Sequence, residues 1–550
     1  MLLERPTLIN KNDVLLIGAV LSVGIVSVYL YHPILGYFFT GTDTITLIET
    51  SRIFSFHDFT RLFTEPLMAG SQFVNIANFF RPFASFSYSI DYAIWHLNPF
   101  GFQLTNLLLN ASVTCLVVLV MYCLSNGNLV FSWLSGLIFA LHPILVDSVP
   151  ATDRRHDIIA AFFLLLSLLF FLKSRVSGRN RKWLISSSLL CYVLALGGKE
   201  VAIILPMMIL LQVYIFSNSK DWTGRFFSSV RQSFPYFLVT AACLIWRTFV
   251  LRGLGGYLRT APLSWEDIQA YVSNIFQDYF LDLIYPADPL RVLDTSLGNF
   301  WVFPILVAFG FYLILFLWGP MSEKDHMHEQ NTASLTSFLG SWLMLPLILF
   351  IATLTFAHRS MYIPAIPFSA LLAYPLAESL KRLLNMLSKI RHQSSVELKV
   401  FFQYKSEVIV VVLGLSMFCF LLLYSPLIRP YDQWEASGRI GRLVLTKLAS
   451  GTRQLNQDCR VNLYNLPNCL RSYEKKEPKA KDVTYLSDYS IKSWLNLCGF
   501  RKKLDVIIRS RSQPWDLSGD LSVAILKLGK QNLRAIIRIK PLAKRTSPIW

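Results

Sequence analysis

Charge is scarce in this chain. Of its 550 residues only 16% are Asp, Glu, Lys or Arg, against 53% hydrophobic, where an ordinary soluble domain carries about 25% charged residues. That imbalance excludes a water-soluble globular fold and points to a polytopic membrane protein. Cysteine is little used: the eight residues follow none of the paired spacings of a zinc site, so a structural metal finger is excluded. Five of them (Cys115, Cys123, Cys191, Cys243 and Cys419) lie in apolar runs, as small core residues do. Cys459, Cys469 and Cys498 fall in the polar tail, where an oxidising compartment would allow one pair to bridge. HExxH, a Walker loop and GxSxG are all missing, which removes the usual metalloprotease, nucleotide-hydrolase and serine-hydrolase signatures. The lone GLGG at 253–256 lacks the strand–turn–helix setting of a nucleotide loop and reads as a turn. No small-x-small cleavage site follows the first apolar run, Val14 to Tyr31. That run is long enough to span a bilayer, so it is expected as an uncleaved first helix.

What the chain does have is long apolar runs. About 20 such residues cross a hydrocarbon core of about 30 Å. Hydropathy places about eleven spans, near 14–32, 103–123, 129–147, 158–173, 183–197, 201–216, 234–251, 300–318, 336–356, 361–380 and 407–427. With the N-terminus in the cytoplasm, the loops left inside, such as KSRVSGRNRK and KRLLNMLSKIRHQSSVELKVFFQYK, are richer in Lys and Arg than those outside. This bias favours that orientation. Eleven spans then put the C-terminus outside. Most of the formal charge of +18 sits in the tail after residue 428, but long segments translocate largely regardless of charge. The tail holds an amphipathic stretch, YDQWEASGRIGRLVLTKLAS, and strand-like runs, CRVNLYNLP, LDVIIRS and LSVAILKL. The expected organisation is a membrane domain over 1–428 and a small basic α/β domain over 429–550. Its basicity suits anionic lipid headgroups, an acidic polymer or simply a solvated surface. Two outer loops, 33–102 and 252–299, carry amphipathic stretches expected to lie along the membrane interface.

Ionisable residues at a membrane are costly and mark function by default. The assumed topology collects ten of them on the outer side: Asp43, Arg81, Asp91, His142, Asp147, Arg155, Asp157, Lys199, Glu200 and Arg359. Cations such as Lys199, Arg155 and Arg359 suit a phosphate leaving group, because they neutralise the charge that develops as its bond breaks. A carboxylate suits a general base that takes a proton from an attacking hydroxyl. A phosphate in apolar surroundings suggests a lipid phosphate. Structural alternatives stand beside these readings. Arg81 and Arg359 also fit snorkelling at the interface, Asp147 and Asp157 fit pairing with Arg154 or Arg155, His142 fits a satisfied core histidine, and Glu200 fits pairing with its neighbour.

The motifs, in their order, resemble the GT-C superfamily of polytopic glycosyltransferases, above all the membrane core of the tetratricopeptide-bearing O-mannosyltransferases and their bacterial relatives. The stretch FRPFASFSYSIDYAIWHLNPFGFQLTNLLLN looks like the family's Arg-Pro start, Asp-Tyr and Asn-Pro-Phe-Gly run. HPILVDSVPATDRRHDIIAA looks like its His-Pro and Gly-Arg-Ala-Asp run, with Arg155 and Asp157 on the Arg and Asp. GGKEVAIILP looks like its Ser-Lys-Glu, placing Lys199 and Glu200. AHRSMYIP looks like its Glu-Arg-Tyr-Leu-Tyr-Leu-Pro, placing Arg359 and Tyr362. The resemblance covers about residues 10–427. It departs in three places: Asp43 stands alone where relatives often have two adjacent acids, Arg154 replaces the Gly, and His358 replaces the Glu. A short basic segment stands in place of the tetratricopeptide array.

The resemblance implies an all-α, polytopic GT-C-like fold. It also implies an inverting transfer of a hexosyl or pentosyl group from a polyprenyl-phosphate donor, with an aspartate of the first outer loop as base. On this chain that aspartate is Asp43, with Lys199, Arg155 and Arg359 on the donor phosphate. Arg81, Asp91, His142, Asp157, Glu200 and Tyr362 would shape the cavity. The acceptor is a lipid, glycan or protein hydroxyl, and the setting a bacterial inner membrane with a periplasmic tail. Membrane lipids are partners and nucleic acid is not. No cofactor is assigned; the departure at Asp43 leaves a divalent metal open. The alternatives are a transporter or flippase for a lipid-linked glycan, and an inactive membrane scaffold. The absence of an internal repeat speaks against the transporter.

Overall fold

The computed structural model describes residues 11–178, 180–217, 221–253, 255–257, 264–284, 326–356, 358–392, 432–452, 459–464, 486–500, 504–509, 521–528 and 532–539, with a few between 411 and 425. In chain order the described helices are α1 (Lys11–Tyr31), α2 (Thr44–Ser51), α3 (Phe56–Thr64), α4 (Pro82–Trp95), α5 (Pro99–Leu124), α6 (Leu129–Leu141), α7 (Arg155–Val176) and α8 (Arg181–Gly198). They continue with α9 (Leu205–Ile215), α10 (Trp222–Leu251), α11 (Trp265–Ile284), α12 (His326–Thr353), α13 (Ala365–His392), α14 (Asp432–Thr452) and α15 (Asp488–Leu497). Short 3₁₀ turns precede several of them, at His32–Gly36, Pro143–Asp147, Thr152–Arg154, Glu200–Ile204 and His358–Tyr362.

The boundaries have local causes. Pro99 opens α5, where its missing N–H costs nothing, and the Asn98 side chain accepts from the Phe100 N–H at 3.1 Å. The same turn is tight: a Cβ on Gly101 would stand 2.0 Å from the Trp95 ring. The Asn-Pro-Phe-Gly run is therefore in part a device for reversing α4 into α5. Asn128 caps α6 and Asp221 caps α10 in the same manner.

Among the described residues five helical segments are long and apolar enough to cross a membrane: 12–36, 99–124, 152–176, 222–251 and 332–353. Two shorter apolar ones, Leu129–Leu141 and Glu200–Ile215, accompany them. The chain is an integral, multi-pass membrane protein. Its outer faces agree: Leu21, Ile25 and Tyr29 on α1 and Phe237, Ile245 and Phe249 on α10 are exposed, as lipid-facing side chains are. Nine of the expected spans fall on described helices. The run 300–318 lies outside the described residues, and 407–427 lies almost wholly outside them.

Two cores organise the molecule. The larger joins α1, α5, α6, α7, α9, α12 and α13, with α7 packed on α8 and α6 on α13. The smaller joins α2, the segment around Leu67–Phe79, and α4 with α14, α15 and strand β3 (Cys459–Tyr464). A two-stranded ladder, β1 (Ala77–Asn78) with β2 (Gly256–Tyr257), ties the loop after α1 to the one after α10. After β3 come β4 (Leu504–Arg509), β5 (Leu521–Leu528) and β6 (Asn532–Ile539), in the order β4-β3-β5-β6. β3 runs parallel to β4 and β5, and β6 antiparallel to β5. The three strand-like runs of the tail are thus β3, β4 and β5, and its amphipathic stretch is α14. Elements on both sides of residue 428 share the smaller core. Of Cys459, Cys469 and Cys498, any one pair of which was open to bridging, Cys469 and the side chain of Cys459 lie outside the described residues.

Candidate active site

The site begins where the chain leaves α1. Two loops meet there, 37–43 and 148–154, and α5 laces them together. Gln103 donates to the Thr40 hydroxyl at 3.0 Å, and Thr40 in turn donates to the Pro150 carbonyl. Asn106 donates to the Val149 carbonyl at 3.2 Å, and Tyr88 of α4 to the Thr152 carbonyl at 2.6 Å. Buried polar side chains are tolerated when each finds a partner, and here the partners are the loop backbones themselves.

This lacing presses two carboxylates together. The Asp43 backbone N–H donates to Asp153 Oδ2 at 3.3 Å. Gly41, at φ +88°, makes the approach possible: a Cβ there would sit 2.0 Å from Asp153 Oδ1. Only glycine meets both demands, the left-handed backbone and the missing side chain. Asp43 is half-buried, and burial pushes its carboxyl above the usual carboxylate range. A hydrogen bond from Tyr489 and the charges of Arg359, Arg154 and Arg81 oppose that rise. The Tyr489 phenol donates to Asp43 Oδ1 at 2.5 Å.

Arg154 and Arg359 stand close enough to repel each other and to attract Asp43 and Asp153. Arg154 lies over the Trp434 ring at 5.2 Å and donates to the Asp147 carbonyl. Its Nε is buried without a hydrogen-bond partner. Arg359 donates to the Tyr257 hydroxyl at 2.8 Å. Two guanidiniums held side by side beside carboxylates form a mixed-charge cluster able to take an anion.

Other expected residues gather in two neighbouring networks. Lys199 pairs with Asp157, which also meets His156 Nε2 at 3.2 Å. Arg81 donates twice to Glu200, at 3.0 and 3.2 Å, with Arg247 3.6 Å from the same carboxylate. The partner of Asp157 is therefore Lys199 rather than Arg154 or Arg155, and the partner of Glu200 is Arg81 rather than its neighbour Lys199. Arg81 also lies 4.5 Å from the centre of the Phe79 ring.

Four expected residues, Arg155, Asp91, His142 and Tyr362, are built into the interior instead. Arg155 is fully buried and its guanidinium is taken up by protein: Nε to Asn106 at 2.7 Å, one terminal nitrogen to the Phe102 carbonyl at 2.8 Å and to Asp91 at 2.6 Å. Its other terminal nitrogen faces Ser87, and the plane lies 4.6 Å from the Tyr88 ring. Its donors are engaged by protein, an arrangement that favours an internal brace over the phosphate ligand expected from the sequence. Asp91 also accepts from Thr105 at 2.7 Å. His142 is buried between the Leu283 carbonyl, 3.1 Å from Nε2, and the Ile144 N–H, 3.2 Å from Nδ1. Both ring nitrogens of this buried histidine are therefore engaged by backbone groups. Tyr362 is buried as well and donates to Asn110 at 2.7 Å.

Asp153 and Tyr489 were not singled out by sequence, and Arg154 was read there only as a pairing partner and a departure from the family's motif, not as a site residue. One signal could have found Asp153: a small residue followed by Thr-Asp occurs twice, at 41–43 and 151–153, and the two copies meet. Nothing local marks Tyr489. Among the described residues no three His, Cys, Asp or Glu side chains converge as a metal site would require.

No family model matches the chain. Over 192 residues it is 29% identical to protein O-mannosyl-transferase TMTC2 of Homo sapiens, a stretch covering 34% of this chain and 23% of the relative. It is 35% identical over 131 residues to Tmtc2 of Drosophila melanogaster, covering 22% and 14%. The match thus spans under a quarter of the length of these relatives. Among solved structures it is similar to the oligosaccharyltransferase of Archaeoglobus fulgidus, with 13% identity, a TM-score of 0.44, and coverage of 88% of this chain and 62% of that one. It is also similar to ArnT of Cupriavidus metallidurans bound to undecaprenyl phosphate, with 11% identity, a TM-score of 0.41, and coverage of 93% and 92%. Likeness of that degree fixes neither fold nor activity. The sequence matches do bear out the resemblance read from the four motifs: this chain resembles the GT-C-like glycosyltransferases, through similarity to the TMTC O-mannosyl-transferases over about a third of its length.

Proposed function

We propose that the protein is a membrane glycosyltransferase that moves a sugar from a polyprenyl-phosphate donor to a hydroxyl of a lipid, glycan or protein acceptor. The observation that carries this reading is the cluster in which Asp43 and Asp153 lie together beside Arg154 and Arg359. It lies at the ends of apolar helices, where a lipid-borne phosphate meets water. The similarity to O-mannosyl-transferases supports the same class of chemistry.

In the proposed reaction Asp43 takes the proton of the acceptor hydroxyl as its oxygen attacks the anomeric carbon. The bond from that carbon to the phosphate oxygen breaks, and the polyprenyl phosphate leaves with the electron pair. Attack from the face opposite the phosphate inverts the anomeric centre. A positioned carboxylate contributes about 10²- to 10⁴-fold to such a step. Arg359 neutralises the leaving phosphate and Arg154 adds to that field, while Lys199, ion-paired with Asp157, offers its remaining ammonium N–H donors. Arg81, Asp157 and Glu200 fix the cations in place. Arg155, Asp91, His142 and Tyr362 hold the loops. The proposed setting is a bacterial inner membrane, with the N-terminus cytoplasmic and residues 429–550 a periplasmic unit.

The test is transfer by the purified full chain in lipid nanodiscs, offered polyprenyl-phosphate [¹⁴C]mannose and then other labelled polyprenyl-phosphate hexoses and pentoses. Lipid, glycan and protein fractions of the host envelope serve as acceptors. Label moving from the donor into one fraction is the expected result. Donors that remain intact with every fraction would count against the reading.

A further inference from the structure

The tail does not stand apart from the site. Helix α15 is started by a reciprocal cap, in which Ser487 and Ser490 each bond the other's backbone N–H. Tyr489, Ser493 and Asn496 follow at spacings of four and three, which puts them on one face of the helix. All three bond to residues of α2 or its cap, themselves three apart: Tyr489 to Asp43 at 2.5 Å, Ser493 to Thr46 at 3.1 Å and Asn496 to Glu49 at 2.9 Å. Both series ascend together, so the two helices lie parallel in one register. Aromatic packing holds the register from either side. Tyr489 meets the Phe73 ring at 5.9 Å, and Trp494 packs edge-on against Phe38 and Phe39 while its Nε1 donates to the Leu445 carbonyl at 3.0 Å. The neighbouring tail helix α14 brings Trp434 under Arg154. Tail residues therefore touch both signs of charge in the cluster.

From this we infer that Tyr489 is a positioning residue for Asp43: the tail helix, keyed to α2 by its three-bond ladder, holds one carboxylate oxygen and leaves the other turned to the acceptor. The inference rests on the proposed role of Asp43 as base. The phenol acts as a donor and keeps its proton, because burial and the facing carboxylates push its ionisation well above the ordinary tyrosine range. With Oδ1 engaged by Tyr489, proton transfer from the acceptor falls to Oδ2. The charged groups that face this carboxylate are Asp153 and Arg154 from the 150–154 loop, Arg81 from the start of α4 and Arg359 from the 358–362 turn. A carboxylate held at a set orientation is worth more to catalysis than a free one, since misplacement by about 1 Å costs about 10²-fold.

The experiment compares the full chain with Tyr489→Phe, which keeps the ring and its packing on Phe73 and removes only the donor. Aspartate is labelled with ¹³C at its carboxyl carbon, and the Asp43 band is assigned in the infrared by its loss in Asp43→Asn. The expected result is an upward shift of the Asp43 titration by about one pH unit in Tyr489→Phe, the size of a lost hydrogen bond to a charged acceptor. The acid limb of transfer from polyprenyl-phosphate [¹⁴C]mannose, or whichever labelled donor the full chain uses, moves with it. A titration superimposable on the wild type overturns the inference, whatever Asp43 does. If the titration moves but Asp43→Asn still transfers sugar at the wild-type rate, the assignment of the base falls and the positioning role falls with it.

Discussion

Replacing Arg155 separates two accounts of a single residue. Its charge and its place in a family-like motif suggest a phosphate ligand, whereas its geometry is that of an internal brace. The guanidinium is wholly buried and pairs with Asp91 at 2.6 Å, with further bonds to Asn106 and the Phe102 carbonyl. Arg155→Ala would leave the Asp91 carboxylate buried with Thr105 as its remaining hydrogen-bond partner. Breaking a buried pair from one side costs about 3–5 kcal/mol. The exposed pair Arg61–Glu65, whose side chains are 36% and 39% accessible, sets the comparison: Arg61→Ala should cost under about 1 kcal/mol. Equilibrium unfolding of the full chain in mixed detergent micelles reads both. The double variant Arg155→Ala/Asp91→Ala should recover at least about 1 kcal/mol of the loss, because no charge is then stranded. An Arg155→Ala protein as stable as the wild type that has lost only its affinity for a polyprenyl phosphate would refute the brace.

Two further outcomes follow from the paired carboxylates. Gly41→Ala should abolish most transfer although it removes no ionisable side chain, because the left-handed backbone costs about 1–2 kcal/mol and the added Cβ would displace Asp153 from 2.0 Å away; wild-type turnover in that variant would contradict the packing. The pH dependence of stability has a definite sign. Burial raises the folded-state ionisation of Asp43 above its unfolded value, so the native state binds the proton more tightly and stability falls as pH rises from the unfolded value through the folded one. Asp43→Asn should therefore match the wild type in acid and become the more stable of the two toward neutral pH, as read by unfolding at a series of pH values. Equal stabilities throughout would show that the carboxylate is not held in a costly place.

The membrane helices were legible because a bilayer imposes one long, simple pattern, and the runs at 103–123, 158–173 and 234–251 each fall on a helix. Three of the four described tail strands, β3, β4 and β5, were legible as short aliphatic runs, while β6 was not read from the sequence. What sequence could not give was the identity of partners. Asp157 sits beside two arginines in the chain yet pairs with Lys199, 42 positions away. Arg155 and Arg154 are adjacent, but the first turns inward to Asp91 and the second toward Asp147 and Trp434, a difference set by helix phase and packing rather than by residue type. The Tyr489 contact joins residues separated by 446 positions, and no local pattern encodes it. Gly41 admits a second carboxylate beside Asp43, and that role shows only once Asp153 is brought against it by the fold.

The central claim is that Asp43 takes the proton of the acceptor. The most direct measurement is single-turnover transfer by purified Asp43→Asn in nanodiscs loaded with the labelled polyprenyl-phosphate donor that the wild type uses. Asparagine keeps the shape and the Tyr489 contact but cannot accept the proton, so donor binding should persist while the transfer rate falls by about 10²-fold or more. Transfer at close to the wild-type rate would contradict the account and leave Asp153, its immediate neighbour, as the next carboxylate to test.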